Sequence, residues 1–299
     1  MKIEKMISIL IPTYNYNIAN LTKELHRQAL EQYVGFEIIV MEDGSTLFLN
    51  ENRVVDELEF CRHIILSENI GRSAIRNKLA NEARYEHLLF IDCDAEICSG
   101  CYVAKYLSFC KEDCIVIGGT AYDPAETNPD FSLRLAYGRQ REARSALERD
   151  KNNFSTFNFL ISKSVFSLAR FDESIRGYGH EDMLFGYQLH QLGYEFTQIE
   201  NPLIHKGLDN NETFIRKTKE ATRNLYLLYL TGCYPFLEEE SKLLHSLIRC
   251  QELGLIRLFA YTFNWLQPVL ERKLCSASPS LRLYDLYKLL FICKTSRTK

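Results

Sequence analysis

The sequence contains no uninterrupted apolar run of the roughly 20 residues that a helix needs to cross a bilayer. It also has no excess of positive charge, because 36 Lys and Arg stand against 39 Asp and Glu and give a net charge of −3. Only six residues, MKIEKM, precede the first strand-like run, and they are too few and too polar to form a secretory leader or a transit peptide. Together these absences predict a cytoplasmic protein that does not span a membrane and does not bind nucleic acid.

The chain has ample material for a large core, since 46% of its 299 residues are hydrophobic. This size fits one large domain, or one domain with an appendage. Ten cysteines would suggest disulfides in an exported protein, but in a reducing cytoplasm most of them should be free thiols. The spacing of Cys98, Cys101, Cys110 and Cys114 resembles a zinc site, although we favour their packing as small hydrophobic side chains on a helix.

The first half of the chain alternates β-rich runs with segments of helical period, which predicts an α/β fold with a mostly parallel sheet. Between the third and fourth runs, Ile75, Leu79 and Ala83 mark one face of a helix that Gly71 introduces and Ser73 caps. The five β-rich runs span residues 7–12, 36–43, 63–68, 87–92 and 114–119.

Polar segments follow four of these runs, and they should converge, because an open sheet of this kind binds ligands beyond the carboxyl ends of its strands. Pro12 and Tyr14 can frame a flat base, and Asp43 can accept the N–H of a uracil ring. Gly44 permits a tight turn or a close ligand approach. The four segments are PTYN (12–15), EDGS (42–45), ENIG (68–71) and DCDAE (92–96).

Two carboxylates follow the strongly apolar fourth run. In an extended backbone Asp92 and Asp94 point to one face and Cys93 points to the other. Two hard oxygen donors suit Mg²⁺ or Mn²⁺, and such ions are commonly held by one or two carboxylates together with substrate phosphates. The alternative is a pair of turn or capping aspartates, which is common chemistry at strand ends.

A second acidic pair lies in GYGHED (177–182), at the start of a predicted amphipathic helix. In one interpretation Glu181 and Asp182 only complement the helix N-terminus. In the other, the two glycines let a bulky ligand approach, and an aspartate held beside it abstracts a proton from a hydroxyl.

Between these regions lies a basic, helix-like stretch, which contains Arg134, Arg139, Arg141, Arg144 and Arg149. These arginines could meet phosphate or an acidic acceptor, but we favour a solvated helix face, because Glu142 and Glu148 allow exposed ion pairs. From about residue 212 the pattern is helical to the end.

Five segments in this order resemble a family 2 nucleotide-sugar glycosyltransferase with the GT-A fold, over residues 5 to 207. They are SILIPTYN, EIIVMEDGST, ENIGRSAIRNKLA, LLFIDCD and RGYGHED. RFDESIRGYGHEDMLFGYQL also resembles the C-terminal catalytic part of galactosyltransferase and chondroitin-polymerase type enzymes. The resemblance implies a GT-A catalytic domain over residues 1–210, with a nucleotide-binding half (1–120) and an acceptor half (121–210), followed by a helical subdomain (211–299).

The resemblance also implies roles for individual residues. Asp92 approaches ribose or metal, Asp94 ligates the metal, and His205 either completes the metal shell or is structural. Arg72 or Arg76 lies near the uracil or the phosphates, and Asp182 is the catalytic base. The other nucleotide-binding residues are Pro12, Thr13, Tyr14, Asn15, Glu42, Asp43, Gly44, Asn69 and Cys93, and the acceptor-binding residues are Tyr178, Gly179, His180 and Glu181.

Two of these positions depart from the family pattern. Glu42 stands where the family usually has aspartate, which lengthens the side chain near the base or ribose. Tyr178 stands where many relatives carry tryptophan, which keeps an aromatic face for a pyranose but changes the acceptor platform.

The implied reaction is metal-dependent, inverting transfer from a UDP-sugar to a hydroxyl of a saccharide or lipid-linked saccharide, as in surface polysaccharide synthesis, with Mn²⁺ or Mg²⁺ as cofactor. One alternative is a catalytically inactive sugar-nucleotide-binding subunit, against which the intact acids Asp92, Asp94 and Asp182 argue. The other is a sugar nucleotidyltransferase, which would need a glycine-rich basic loop where this chain has PTYNYNIAN.

The C-terminal region combines apolar helix faces with basic residues in LIRLFAYTFNWLQPVLERKL and in YKLLFICKTSRTK. Such helices either contact the cytoplasmic face of a membrane peripherally or pack on the catalytic domain or on a second copy in a homodimer. We favour packing.

Overall fold

The computed structural model describes residues 6–175 and 179–297, which form two compact units. The first, which we call the sheet unit, comprises residues 6–123, 141–175 and 181–207. The second, the helical unit, comprises residues 124–140, 179–180 and 208–297. The domain boundary near residue 210 stays a prediction, and the helical unit includes two short segments that precede it.

The sheet unit is built around a seven-stranded sheet with the order β3-β2-β1-β4-β8-β6-β9, beside a three-stranded sheet with the order β5-β10-β7. In the large sheet β8 runs antiparallel to its neighbours β4 and β6, and the remaining pairs are parallel. The strands are β1 Ile7–Thr13, β2 Phe36–Glu42, β3 Cys61–Ile65, β4 His87–Ile91, β5 Ala95–Glu96, β6 Ile115–Ile117, β7 Thr120–Ala121, β8 Asn158–Ser162, β9 Thr197–Gln198 and β10 Leu203–His205.

Helices cover both faces of the large sheet and make up the helical unit. Short 3₁₀ segments lie at Arg53–Glu57 and Pro129–Phe131, and a π segment lies at Gly138–Glu142. The α-helices are α1 Ala19–Leu30, α2 Leu49–Asn52, α3 Arg72–Glu82, α4 Tyr102–Leu107, α5 Ser132–Tyr137, α6 Lys163–Leu168, α7 Glu181–Gln191, α8 Asn211–Thr231, α9 Leu237–Glu240, α10 Lys242–Glu252, α11 Ile256–Leu274 and α12 Leu281–Thr295.

The apolar runs of the sheet lack polar alternation because both faces are buried. Neighbouring residues point to opposite faces, so Ile9 packs in one core cluster with α1 and α4, and Leu10 packs in another with α3. Each residue of β1 from Ile7 to Ile11 is essentially inaccessible to solvent. This two-sided burial confirms the predicted mostly parallel sheet with flanking helices.

The helical unit has its own core, in which α5, α8, α11 and α12 contribute side chains such as Leu133, Phe214, Phe263 and Tyr287. In the described part of the chain, no helix combines the length and the apolarity that spanning a bilayer requires.

Two details differ from the sequence interpretation. Ser73 lies inside α3, and Gly71, with φ of +91°, occupies the N-cap position instead. None of the four cysteines lies on α4, because Cys98 and Cys101 precede it and Cys110 and Cys114 follow it; Cys110 and Cys114 are buried, but Cys98 and Cys101 are exposed and do not pack as predicted. The separate prediction that the cysteines are free thiols agrees with the structure, in which all ten are unbridged.

The solvated-face interpretation of the basic stretch is wrong for two of its arginines. Arg134 is buried in the helical unit and lies over the ring of Phe214, 5.4 Å from its centroid. In the sheet unit the guanidinium of Arg149 donates to the backbone carbonyls of Ile117 and Ile199. Mixed charge in the sequence does not distinguish an exposed guanidinium from one that fixes backbone carbonyls or stacks on an aromatic ring.

Candidate active site

The polar segments after β1, β2 and β3 are joined by hydrogen bonds at one edge of the sheet. The Asn15 side-chain oxygen accepts from the backbone N–H groups of Thr46 (2.7 Å) and Leu47 (3.0 Å). The Asp43 carboxylate accepts from the N–H groups of Ile70 (2.7 Å) and Gly71 (3.1 Å). These bonds confirm that the segments converge where the sequence places them.

A glycine is required where two of these segments touch. Gly44 has φ of +67°, and a Cβ built on it would lie 2.5 Å from the backbone nitrogen of Asn69. The Asn69 side chain in turn donates to the carbonyl of Asp43. A side chain at position 44 would therefore separate the segments that hold Asp43.

At the end of β1, Pro12 and Thr13 are the last strand residues, and Tyr14 follows with half of its surface exposed. The Thr13 carbonyl accepts from the N–H of Asp43 at 2.7 Å. This bond ties the end of β1 to the segment that holds Asp43, and the neighbouring Tyr14 is exposed to solvent. Burial raises the pKa of Asp43, and its two backbone hydrogen bonds oppose that rise.

Glu42 is fully buried and contacts protein groups through both carboxylate oxygens. It accepts from the Ser45 hydroxyl (2.5 Å), the Asn52 amide (2.7 Å) and His63 Nε2 (3.3 Å). Burial alone would raise the pKa of Glu42, but the hydrogen bonds from His63, Ser45 and Asn52 outweigh burial and lower it. Glu42 thus stabilises the segment after β2 through these hydrogen bonds. Its contact with a nucleotide stays a prediction.

Asp92 and Asp94 follow β4, and each carboxylate contacts a different nitrogen-bearing side chain. Arg76 Nη2 donates to Asp92 Oδ1 at 2.6 Å, and His205 Nε2 lies 3.0 Å from Asp94 Oδ2. Cys93 packs against the apolar core between α1 and α4, as the alternation of an extended chain requires. Burial raises the pKa of Asp92, while the charge of Arg76 opposes the rise. Burial alone would raise the pKa of Asp94 too, but the hydrogen bond and charge of His205 lower it.

The small sheet brings His205 to Asp94. Antiparallel pairing of β5 with β10 places His205 opposite Ala95, and the N–H of Lys206 donates to the Asp94 carbonyl at 2.8 Å. A Cβ on Gly207 would lie 2.2 Å from Asp94 Oδ2, so only glycine leaves room for this carboxylate.

The donor atoms at this position fit a divalent cation. Two neighbouring octahedral ligands with bonds of about 2.1 Å are separated by about 3 Å, which matches the distance between Asp94 Oδ2 and His205 Nε2. Carboxylate and imidazole are accepted by Mn²⁺, and carboxylate with water by Mg²⁺. Within residues 6–175 and 179–297, three or more His, Cys, Asp or Glu side chains are nowhere grouped as a ready metal cage.

One turn of α3 joins the D-x-D pair to the E-D pair. Arg76, only 3% exposed, holds Asp92, and Arg72, four residues earlier on the same face, lies 3.6 Å from Glu181 Oε1. The Arg72 side chain is 53% exposed. Both acidic pairs therefore lie at the same edge of the sheet unit, as the sequence interpretation requires.

Asp182 lies in the first turn of α7, next to the buried Glu181. Its Oδ1 accepts from the N–H of Met183 at 2.8 Å. Burial and the charge of Glu181 together raise the pKa of Asp182 to about 6, against the opposing hydrogen bond from the Met183 N–H and the charge of Arg76. An aspartate tuned in this way is suited to proton transfer near neutral pH.

The remaining predicted acceptor residues belong to the helical unit or lie outside the described residues. Gly179 and His180 both have positive φ, and His180 Nε2 lies 2.8 Å from the carbonyl of Ala221 on α8. Tyr178 lies outside the described residues, so its predicted contact with an acceptor sugar stays a prediction.

Sequence reasoning missed several residues that support the site. Asn52 and His63 hold Glu42, but Asn52 ends a short helix and His63 lies in the middle of β3, where no sequence signal marks them. Gly207 lies two positions after the predicted ligand His205. A glycine so close to a predicted ligand indicates a close approach of the backbone to the site, and this signal could have identified Gly207.

The sequence model of the family described as Glycosyl transferase family 2 matches residues 8–168, more than half of the chain. The chain belongs to this family. Relatives of this glycosyltransferase include EpsH of Bacillus subtilis (strain 168), whose name gives it as a candidate glycosyltransferase. It is 26% identical over 249 residues, which cover 79% of this chain and 70% of EpsH. Chondroitin synthase of Escherichia coli is 24% identical, and the match covers 86% of this chain but only 42% of the synthase.

Solved structures agree with this family 2 assignment at the level of the fold. Mannosyltransferase PcManGT from Pyrobaculum calidifontis, in complex with GDP-Man and Mn²⁺, superposes with a TM-score of 0.57 and 13% identity, covering 97% of this chain and 86% of that one. S. aureus TarS in complex with UDP gives a TM-score of 0.50 and 17% identity, with 98% of this chain and 91% of that one covered. The predicted GT-A fold with a helical C-terminal region is thus confirmed.

Proposed function

We propose that this glycosyltransferase transfers a sugar from a UDP-sugar to a hydroxyl group of a saccharide or lipid-linked saccharide, with inversion at the anomeric carbon and with Mn²⁺ or Mg²⁺ bound. One observation carries the proposal. A single turn of α3 connects Asp92, through Arg76, with Glu181, through Arg72, so that cation-binding and proton-accepting groups share one edge.

The donor nucleotide would lie across the converging segments. Tyr14 offers an exposed ring for stacking on the base, and Asp43 is held by two backbone N–H groups beside it. Arg76 is buried and occupied by Asp92, so we assign the diphosphate contact to Arg72, whose guanidinium is half exposed. The complexes of TarS with UDP and of PcManGT with GDP-Man support a nucleoside diphosphate donor for this fold.

Asp94 and His205 would hold the divalent ion, and Asp92, water and phosphate oxygens would be its further oxygen donors. The fit of the 3.0 Å separation between Asp94 Oδ2 and His205 Nε2 supports this set, as does the Mn²⁺ bound by PcManGT. When bound, the ion neutralises the charge that develops on the departing diphosphate. Arg76 donates to Asp92 Oδ1, and its charge opposes the rise in the pKa of Asp92 that burial causes.

Asp182 would act as the base. The acceptor oxygen forms a bond to the anomeric carbon while the bond from that carbon to the UDP oxygen breaks, and the hydroxyl proton goes to Asp182. Because attack and departure occur on opposite faces, one displacement inverts the configuration. With a pKa of about 6, Asp182 is mostly ionised at pH 7 and still close to the working pH, which general-base catalysis favours.

Two substitutions test this division of labour. Asp182→Asn should bind UDP with Mn²⁺ as the unmodified protein does, but transfer sugar about 10²- to 10⁴-fold more slowly, as expected for loss of a general base. Asp94→Ala should lose metal-dependent binding as well. Isothermal titration with UDP and Mn²⁺ measures binding, and UDP release measures transfer. An unmodified rate in Asp182→Asn would refute the base assignment, and Mn²⁺-dependent binding retained in Asp94→Ala would refute the metal assignment.

The donor can be identified by thermal stabilisation, because a ligand that binds only the folded state raises the melting temperature. UDP-Gal, UDP-Glc, UDP-GlcNAc, UDP-GalNAc and UDP-GlcA should be compared with GDP-Man, each with and without Mn²⁺. We expect metal-dependent stabilisation by one of the UDP-sugars. Stabilisation by GDP-Man alone would replace uridine with guanosine in the proposal.

A further inference from the structure

One face of α11 presents apolar side chains to solvent in a continuous stripe. Leu258, Tyr261, Trp265 and Val269 follow one another at intervals of three or four residues, which places them side by side on the helix. All four are exposed, Tyr261 by 60% and Trp265 by 69%. Single exposed apolar residues are ordinary, but a contiguous patch marks an interaction site.

The opposite face of α11 is already used by the core of the helical unit. Ala260, Phe263, Leu270 and Leu274 are buried, and the Phe263 ring packs edge-on against Tyr287 of α12. The exposed stripe is therefore not needed to attach the helix to its unit. It is a second apolar face on a helix that is fixed in place.

Positive charge accompanies the stripe. Arg257, Arg272 and Lys273 are exposed on α11, and in the part of the chain that the structure describes none of the three forms an ion pair. The helix has one carboxylate, Glu271, which is bound by Lys219 Nζ (2.7 Å) and the Tyr287 hydroxyl (2.6 Å). The exposed face thus carries three uncompensated cations around an apolar centre. We call it the α11 surface: Arg257, Leu258, Tyr261, Trp265, Val269, Arg272 and Lys273.

We propose that the α11 surface docks on a lipid bilayer that carries anionic headgroups, with the helix lying in the plane of the interface. Tyr and Trp favour this depth because their rings are apolar and their polar edges stay hydrated. Lys and Arg beside them are attracted by the negative surface potential. Interfacial helices combine an apolar face with basic residues in this manner.

Charge decides against a second copy of the chain as the occupant of this surface. Two copies that met through the α11 surface would bring six cations together and no free carboxylate of α11, which costs binding energy. An anionic headgroup layer satisfies the same cations. The proposal is independent of sugar transfer, since none of its residues belongs to the sheet unit.

The protein contains its own reporter for this contact. Trp265 is the only tryptophan in the chain, so intrinsic fluorescence reports on the α11 surface alone. The full chain should be mixed with phosphatidylcholine vesicles, with and without phosphatidylglycerol, at low and high salt. We expect a blue shift of the emission and flotation of the protein with the anionic vesicles, and a weaker effect at high salt.

Two sets of variants separate charge from apolar contact. Arg257→Gln/Arg272→Gln/Lys273→Gln should weaken partitioning about 100-fold, given the contribution of each basic residue near an anionic surface. The matched control, Lys23→Gln/Lys78→Gln/Lys111→Gln, removes the same charge from exposed sites of the sheet unit and should partition normally. Leu258→Ser/Val269→Ser keeps the reporter and should weaken partitioning about tenfold or more, unlike Leu147→Ser/Leu168→Ser at apolar sites that are more exposed than these two.

Two results would overturn the proposal. In the first, anionic vesicles leave the Trp265 emission unchanged and the protein does not float. In the second, the emission shifts with protein concentration in the absence of lipid and sedimentation shows a dimer, in which case a second copy covers the α11 surface. Equal loss of partitioning in a variant and its matched control would also contradict it, because the effect would then belong to net charge or folding.

Discussion

The two acidic pairs of the sheet unit have similar compositions and opposite electrostatic settings. Asp94, in the D-x-D pair, has its pKa lowered because His205 outweighs burial. Asp182, in the E-D pair, has its pKa raised to about 6 because burial and Glu181 outweigh Arg76. Pairs of carboxylates with separated pKa values are how active sites assign different roles to the same residue type.

The difference between the pairs lies in where the neighbouring cations point. Arg76 and His205 each hold one oxygen of the D-x-D pair, at 2.6 Å and 3.0 Å. In the E-D pair, the ion pair of Arg72 is made with Glu181, and Asp182 Oδ1 accepts a backbone N–H. In the D-x-D pair the pKa of Asp94 is lowered while that of Asp92 is raised by burial, and in the E-D pair the pKa of Asp182 is raised.

The largest expected effect comes from a substitution that disturbs only the D-x-D pair. In Gly207→Ala the new methyl group would overlap Asp94 Oδ2 and push the carboxylate away from His205. Loss of one ligand's position should weaken Mn²⁺-dependent UDP binding about 100-fold, at the upper end of what disturbing a metal site's supporting groups costs. Titration calorimetry with UDP and Mn²⁺ measures the change.

Gly100→Ala is the control for this variant, because a Cβ there meets only open space. It should bind like the unmodified protein. The pH dependence of the residual transfer in Gly207→Ala should stay where it was. A Gly207→Ala protein that binds UDP and Mn²⁺ normally would show that Asp94 does not need its present position.

Substitution of Arg76 should have a smaller effect on both acidic pairs, because Arg76 contacts Asp92 and its charge also lowers the pKa of Asp182. Arg76→Met keeps the packing against Phe171 but removes that charge. Metal-dependent binding should weaken about tenfold, and the pKa that governs the rate should rise, since a cation near Asp182 has been lost. Full pH–rate profiles with and without saturating Mn²⁺ distinguish the two contributions.

Arg84→Met, at an exposed arginine of the sheet unit, provides the comparison for Arg76→Met. It should change neither the binding nor the profile. If Arg76→Met altered metal binding without shifting the pH–rate profile, the two acidic pairs would be electrostatically independent. The role of α3 would then be limited to positioning its two arginines.

How far the site could be predicted differs between its two kinds of residue. Asp92, Asp94 and Asp43 were predictable because they end strands whose apolar runs are unmistakable, and parallel strands end at a common edge. The choice between Arg72 and Arg76 was not, because both lie on one face of α3. The choice depends on tertiary burial: Arg76 is buried in an ion pair with Asp92, whereas the Arg72 side chain is half exposed.

Other parts of the structure depend on contacts that are distant in sequence. Asn52 reaches Glu42 only because the loop after β2 folds back, and Gly207 matters only because β10 pairs with β5. Arg134 and Arg149 look solvated by composition, but Arg134 is buried over the ring of Phe214, and the partly buried Arg149 donates to two backbone carbonyls. Local periodicity contains no information about these partners.

The pH dependence of transfer should follow the raised pKa of Asp182. Protonated Asp182 cannot accept the acceptor's proton, so the rate should be flat above pH 7 and fall below pH 6, about tenfold for each further unit. Steady-state rates between pH 5 and 8 at saturating donor, acceptor and Mn²⁺ measure it. Asp182→Asn should show a flat residual rate over the same range. A midpoint unchanged in this variant would assign the titration to another group.

The smallest effect is on stability. Because the folded-state pKa of Asp182 is raised from 3.8 to about 6, the stability contribution of this carboxyl is complete below pH 3.8 and is lost as pH rises through 6. Asn cannot ionise, so Asp182→Asn should be more stable than the unmodified protein at pH 7.5. The shift corresponds to roughly 3 kcal/mol in the free energy of unfolding, and we expect about 2 kcal/mol because an amide is a weaker acceptor for the Met183 N–H.

Urea unfolding of the ligand-free proteins at pH 7.5 and at pH 4 tests this. The advantage of Asp182→Asn should be present at pH 7.5 and nearly absent at pH 4, where Asp182 is protonated in the folded protein. The same substitution would then raise stability while it slows transfer, which is what a base held against its preferred ionisation state implies. Equal stabilisation at both pH values would mean that better packing, and not relief of a buried charge, explains the gain, and the contrast between the two acidic pairs would lose its electrostatic basis.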